Sequence, residues 1–156
     1  KPGEADTVII AGMGGRLILQ ILQDGAELMP QLQELILQPQ SDWAEVRSFL
    51  REQKFLISAE DMVEEDGKYY QMMRVFPQGR KEAGEEGTQI PEQLAEYYGP
   101  CLLSARNAVL KTYLLRRKRI TEEILQQMAE NQTASEERQH ILEDQERMRE
   151  ALSFYQ

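Results

Sequence analysis

Apolar residues follow two rhythms along this chain, and the change between them falls near the middle. Residues 7–15, TVIIAGMGG, run through Thr7, Val8, Ile9 and Ile10 without polar alternation and then break at Gly12, Gly14 and Gly15. An unbroken β-branched run predicts a strand covered on both faces, and the glycines predict a turn whose backbone comes close either to a ligand or to its own packing neighbours. Residues 16–26 follow with Leu17, Ile18, Ile21 and Leu22 at helical spacing. After an interruption around Pro30, residues 34–38 (ELILQ) form a second short strand. Gln38 is its expected last residue, because the position before Pro39 is held extended. Ser41 or Asp42 offers an N-cap, and Trp43, Val46 and Leu50, with Phe49 beside them, mark an amphipathic helix to about residue 53.

Residues 55–60 (FLISAE) and 69–76 (YYQMMRVF) read as strands, joined through a short connection that contains Asp66-Gly67. Such a pair sets the flanking strands antiparallel. The order βαβαββ describes a parallel α/β sheet that finishes in a hairpin. Residues 77–91 are rich in Gly, Pro and Glu with little to bury, which predicts a loop. Beyond them the rhythm is helical. Residues 92–98 form a short helix stopped at Gly99-Pro100, and a long one runs from Asn107 with Val109, Tyr113, Ile120, Ile124 and Met128 as its stripe. Residues 131–135 (NQTAS) break it, Ser135 serves as the next N-cap, and Ile141, Leu142, Met148 and Leu152 form a second stripe. Two such helices predict an antiparallel hairpin or coiled coil. The organisation expected is a partial α/β domain at 1–77, a linker at 78–91 and a helical hairpin at 92–156.

A strand as apolar as residues 8–11 does not ordinarily stand at an open sheet edge. A neighbour is therefore expected, either an N-terminal segment missing from this polypeptide or another chain. Residues 1–6 (KPGEAD) read as a connection inside a domain and favour the first.

Charge alters the picture locally. The net charge of −9 argues against nucleic acid, yet Arg106, Lys111, Arg116, Arg117, Lys118 and Arg119 lie together with no acidic residue among them. An unopposed basic face is what phosphate contacts require, and the alternative is a solvated face whose charges pair with Glu122, Glu123 or the second helix. The single cysteine, Cys101, excludes an internal disulfide and reads as a small buried apolar side chain, in keeping with a reducing, cytoplasmic setting. No apolar run reaches the ~18 residues of a membrane span. The lone His140 lies among charged residues at the surface, no metal-ligand spacing is present, and one histidine cannot complete a Ser-His-Asp set.

AGMGG at residues 11–15, LILQP at 35–39, EDGKYY at 65–70 and YGPCLL at 98–103, in that order and ahead of a helical hairpin, resemble the bacterial TrmK-type tRNA methyltransferases. The resemblance implies the C-terminal half of a class I, Rossmann-like methyltransferase sheet ending in an antiparallel strand, with S-adenosylmethionine as cofactor and N1 of adenine 22 in tRNA as target. It also implies that the family's first glycine loop and the acidic residue after its second strand have no counterpart here. By the same resemblance Ala11, Gly12, Met13, Gly14 and Gly15 lie beside the cofactor, and Gln38 and Pro39 meet the adenine edge. Read as a plain residue, Gln38 is a polar strand terminus, and Trp43 either stacks on a base or belongs to the core. A non-catalytic RNA- or protein-binding module is the alternative function.

Overall fold

The computed structural model describes residues 3–77, 90–130 and 135–156. The linker expected at 78–91 and the break at 131–135 fall largely outside the described residues, as does the side chain of Ser135. The α/β part runs β1 (Thr7–Met13), α1 (Gly15–Asp24), a 3-10 turn (Met29–Gln31), β2 (Glu34–Pro39), α2 (Trp43–Glu52), β3 (Leu56–Glu65) and β4 (Lys68–Phe76). Four strands form one sheet in the order β1-β2-β4-β3. β1 and β2 are parallel, and β4 is antiparallel to both of its neighbours. The last strand has thus slotted between its two predecessors. This brings the carboxyl ends of β1, β2 and β3 and the amino end of β4 to one sheet edge.

One face of the sheet is packed. Ile10, Leu35, Leu37, Met73 and Val75 from the strands meet Ile18, Leu22, Val46 and Leu50 from α1 and α2, and each such burial contributes about 1.5–3 kcal/mol. The opposite face carries no helix among the described residues, and Ile9 is 68% exposed there. Within the described residues the apolar run lies at the sheet edge, with one partner strand and one helical layer, so the second cover expected for β1 is not supplied by them.

Strand ends also differ from expectation. β1 continues through Gly12 to Met13, because Gly12 adopts φ +74° and bulges between the pairs Ala11↔Gln38 and Met13↔Pro39. Pro39 remains in β2 because pairing with β4 has already ended at Leu37↔Met73 and no donor is needed there. The β3–β4 hairpin is longer than expected. Asp66 (φ 52°) and Gly67 (φ 75°) alone make the turn, both left-handed as a two-residue hairpin requires.

In the C-terminal part, α3 (Glu92–Tyr98), α4 (Pro100–Ser104), α5 (Ala108–Glu130) and α6 (Ser135–Ser153) follow. α4 was not foreseen. A second core joins these helices to the hairpin through Met62, Leu94, Leu102, Leu103, Leu110, Leu114 and Met148. The Asn107 side chain accepts from the Val109 and Leu110 N–H groups and caps α5. Tyr155 donates to the Asn107 carbonyl (2.9 Å) and Gln145 to Thr121 (3.2 Å), so α5 and α6 run antiparallel. The α5 stripe is corrected to Leu110, Leu114, Thr121 and Met128, with Ile124 left 38% exposed. Contact with the sheet hairpin, which the helix period alone does not reveal, chooses that face.

Candidate active site

The glycine turn and the end of β2 meet. The N–H of Gly12 donates to Oε1 of Gln38 (2.6 Å), and the N–H of Gln40 donates to the Met13 carbonyl (2.8 Å). The bulge at Gly12 turns its N–H out of the ladder and toward the neighbouring side chain. The amide NH₂ of Gln38 donates to none of the described residues. Space beside Gly12 is open, since a Cβ built there meets nothing within 4 Å. The opposite holds at Gly15. A Cβ there would stand 2.5 Å from the Ser41 carbonyl oxygen and 2.8 Å from Asp42 Cβ, so the turn packs directly on the loop after β2. The five residues Ala11, Gly12, Met13, Gly14 and Gly15 therefore divide between an open side and a packed side.

Asp42 occupies the N-cap position of α2 in a left-handed conformation (φ 54°), and its side chain makes no capping bond. The Ser41 hydroxyl instead accepts from the Gly15 N–H (3.2 Å) and donates to Asp42 (2.6 Å), satisfying a free donor at the start of α1. The expected Ser41 or Asp42 side-chain cap on α2 is corrected: the hydroxyl serves α1. Pro39 is buried, and its carbonyl accepts from Trp43 Nε1 (2.8 Å). Trp43 is half-buried, with its ring edge-on to Tyr113 (5.9 Å), which in turn meets Tyr69 (5.1 Å). Burial raises the pKa of the Tyr113 hydroxyl.

The basic residues spread around α5, because four consecutive helical positions cover most of its circumference. Arg116 reaches the hairpin turn, donating to the Gly67 carbonyl (3.1 Å) and lying 5.9 Å from the Tyr69 ring. Arg117 borders a hollow that also contains Asp144. Lys118 and Arg119 face Glu122 (3.7 Å) and Glu123 (3.8 Å). Lys111 lies over the Tyr155 ring, and Arg106 is exposed at the junction of α4 and α5. A single unopposed face is thus corrected to a basic collar with two of its members paired.

A buried polar joint escaped the sequence reading. Arg47 is 2% exposed and donates to Glu60 (2.8 Å), to the Glu96 carbonyl (2.9 Å) and to Gln71. The second oxygen of Glu60 accepts from the Cys101 N–H (2.9 Å). Burial first, and then the nearby Glu60 carboxylate, push the Cys101 thiol up to about 11. One signal was present: Arg47 falls on the apolar face of α2, next to Val46 and one turn before Leu50. Among the described residues no group of three or more His, Cys, Asp or Glu could hold a metal ion, and no helix is long and apolar enough to cross a membrane.

An antiparallel final strand set between the two before it, with a glycine turn at the carboxyl ends of the parallel strands, defines half of a Rossmann-like methyltransferase sheet. Residues 1–150 match the model of the tRNA (adenine(22)-N(1))-methyltransferase family TrmK, and the chain belongs to that family. It is 32% identical over 148 residues to the tRNA (adenine(22)-N(1))-methyltransferase of Bacillus subtilis, covering 95% of this chain and 61% of that protein. The crystal structure of the B. subtilis m1A22 tRNA methyltransferase TrmK superposes with a TM-score of 0.78 at 28% identity, covering 97% of this chain and 65% of that one. Streptococcus pneumoniae Sp1610 in complex with S-adenosyl-L-methionine superposes with a TM-score of 0.74 at 28% identity, over 94% of this chain and 60% of that one. The chain thus spans about six tenths of the length of the relatives it matches.

Proposed function

We propose that this chain supplies one wall of the active site of an S-adenosylmethionine-dependent methyltransferase acting on N1 of an adenine in tRNA, adenine 22 by family. The observation that carries the proposal is the 2.6 Å bond from Gly12 N–H to Gln38 Oε1, which ties two motifs 26 residues apart at the carboxyl ends of two parallel strands. The cofactor, when bound, supplies an electrophilic methyl group. Adenine N1 presents a lone pair in the ring plane and needs no prior deprotonation, so the protein's task is chiefly to orient the base. The open backbone at Ala11, Gly12 and Met13 suits close approach by a ligand, while Gly14 and Gly15 hold the turn against Ser41 and Asp42. With Oε1 of Gln38 engaged by Gly12, its NH₂ is the group left to donate to a ring nitrogen other than N1. Pro39 fixes the strand end on which Gln38 sits, and the collar from Arg106 to Arg119 takes phosphates.

The other wall belongs to polypeptide that pairs with the free edge of β1 and covers the face bearing Ile9, either a preceding segment of a longer protein or another chain. The exposure of Ile9 and Met13 on β1 supports this. A cytoplasmic location accords with a tRNA substrate. The test is calorimetric titration of S-adenosylhomocysteine into this chain and into a form extended at its N-terminus. Binding by the extended form is expected; binding by neither refutes the enzyme and leaves a non-catalytic RNA- or protein-binding module.

A further inference from the structure

We infer that the hollow of about 420 Å³ framed by Gln40, Trp43, Lys68, Tyr69, Tyr70 and Tyr113 is a stacking site for an RNA nucleotide neighbouring the one presented to Gln38. The inference rests on the tRNA reading above and extends it to a second nucleotide. Four of the six framing residues are aromatic, and the rings of Trp43, Tyr69 and Tyr113 are held against one another before any ligand arrives. Trp43 is fixed by its bond to the Pro39 carbonyl (2.8 Å), and Tyr113 is wedged edge-on between Trp43 and Tyr69. Rings ordered in advance lose little further entropy on binding, and every base has a π-face to offer them. The volume falls within the ~300–1,000 Å³ of small-ligand sites.

Charge selects a nucleotide over a neutral aromatic ligand. No carboxylate frames this hollow, Lys68 does, and Arg116 stands beside Tyr69 at the same rim. The adjoining hollow of about 230 Å³ shares Trp43 and Tyr113 but sets two carboxylates, Glu45 and Asp144, against the one cation Arg117, and so is less suited to phosphate. Position completes the case. Gln40 lies two residues beyond Gln38, at most ~7 Å along the chain, about two stacked-base rises of ~3.4 Å. A strand of RNA that delivers one base to Gln38 can therefore lay a base one or two nucleotides away in the hollow that Gln40 and Trp43 frame. Such a site takes an unstacked loop nucleotide and not a duplex, with little preference for base identity.

Trp43 is the only tryptophan in the chain, so its fluorescence reports the site directly. The experiment titrates this chain with a tRNA transcript, following Trp43 emission and a gel shift in parallel. Saturable quenching with the midpoint of the gel shift is expected. Tyr70→Ala should weaken tRNA binding roughly 5- to 150-fold, the range measured for one stacked base. Lys68→Ala, at an exposed position that leaves the core intact, should weaken binding and lower the salt slope by about one phosphate contact. A tRNA gel shift with unmoved Trp43 emission, or unchanged affinity in both variants, overturns the stacking site and leaves the methyltransferase reading standing. Absence of any tRNA binding both by this chain and by the form extended at its N-terminus overturns both.

Discussion

Replacing Arg47 with methionine removes the cation at the joint between the sheet and the C-terminal helices while keeping much of its length. Arg47 and Glu60 have side chains 2% and 0% exposed, so neither is rescued by solvent. Without the guanidinium, Glu60 keeps only the Cys101 N–H, Gln71 loses its acceptor contact, and the Glu96 carbonyl in the last turn of α3 is left unsatisfied. Breaking a buried pair from one side costs about 3–5 kcal/mol, against about 0–1 kcal/mol for a pair at the surface. With a urea dependence of about 2 kcal/mol per molar, the unfolding midpoint should fall by roughly 1.5–2.5 M. Circular dichroism on this chain, Arg47→Met, Glu60→Leu and the double variant measures the pair as a cycle. The double variant should lose less than the two single losses summed, because replacing both partners leaves no orphaned charge. A midpoint shift near 0.5 M for Arg47→Met, or losses that simply add, refutes the joint.

Gly15→Ala forces a Cβ to within 2.5 Å of the Ser41 carbonyl oxygen and should cost about 1–3 kcal/mol in urea unfolding; wild-type stability would refute direct packing of the turn on the loop after β2. Gly12→Ala meets no atom within 4 Å and should cost only the left-handed backbone, about 1–2 kcal/mol. Cys101, with its thiol raised from 9.0 to about 11, should react slowly with iodoacetamide at pH 8, and the rate should climb through pH 10 without a plateau near 9. Since the folded value lies above the unfolded one, the associated stability is intact below pH 9 and is lost as the pH rises toward 11; a plateau near pH 9 contradicts the burial. Reversing Arg116, Arg117 and Arg119 to glutamate should weaken tRNA binding and flatten its dependence on salt, and an unchanged slope refutes the phosphate role of the collar.

Periods and turn residues are local properties, and they were legible in the chain. Val8 to Ile10 as strand, the helical spacing of Leu17, Ile18, Ile21 and Leu22, and Asp66-Gly67 as a hairpin turn all follow from steric preference and hydrophobic repeat, and family motifs at 11–15, 35–39, 65–70 and 98–103 pointed to the chemistry. What lay beyond the sequence were relations between distant segments. The slot taken by β4, the bulge that turns Gly12 toward Gln38, the choice of Leu110 and Leu114 over Ile124 as the buried stripe of α5, and the burial of Arg47 on Glu60 each depend on which surfaces meet. Arg47 carries the reason most plainly. A guanidinium on an apolar helix face has no place in water-facing logic, and only the tertiary structure, by bringing a carboxylate and a helix end within hydrogen-bond reach, turns its burial from a penalty into a joint.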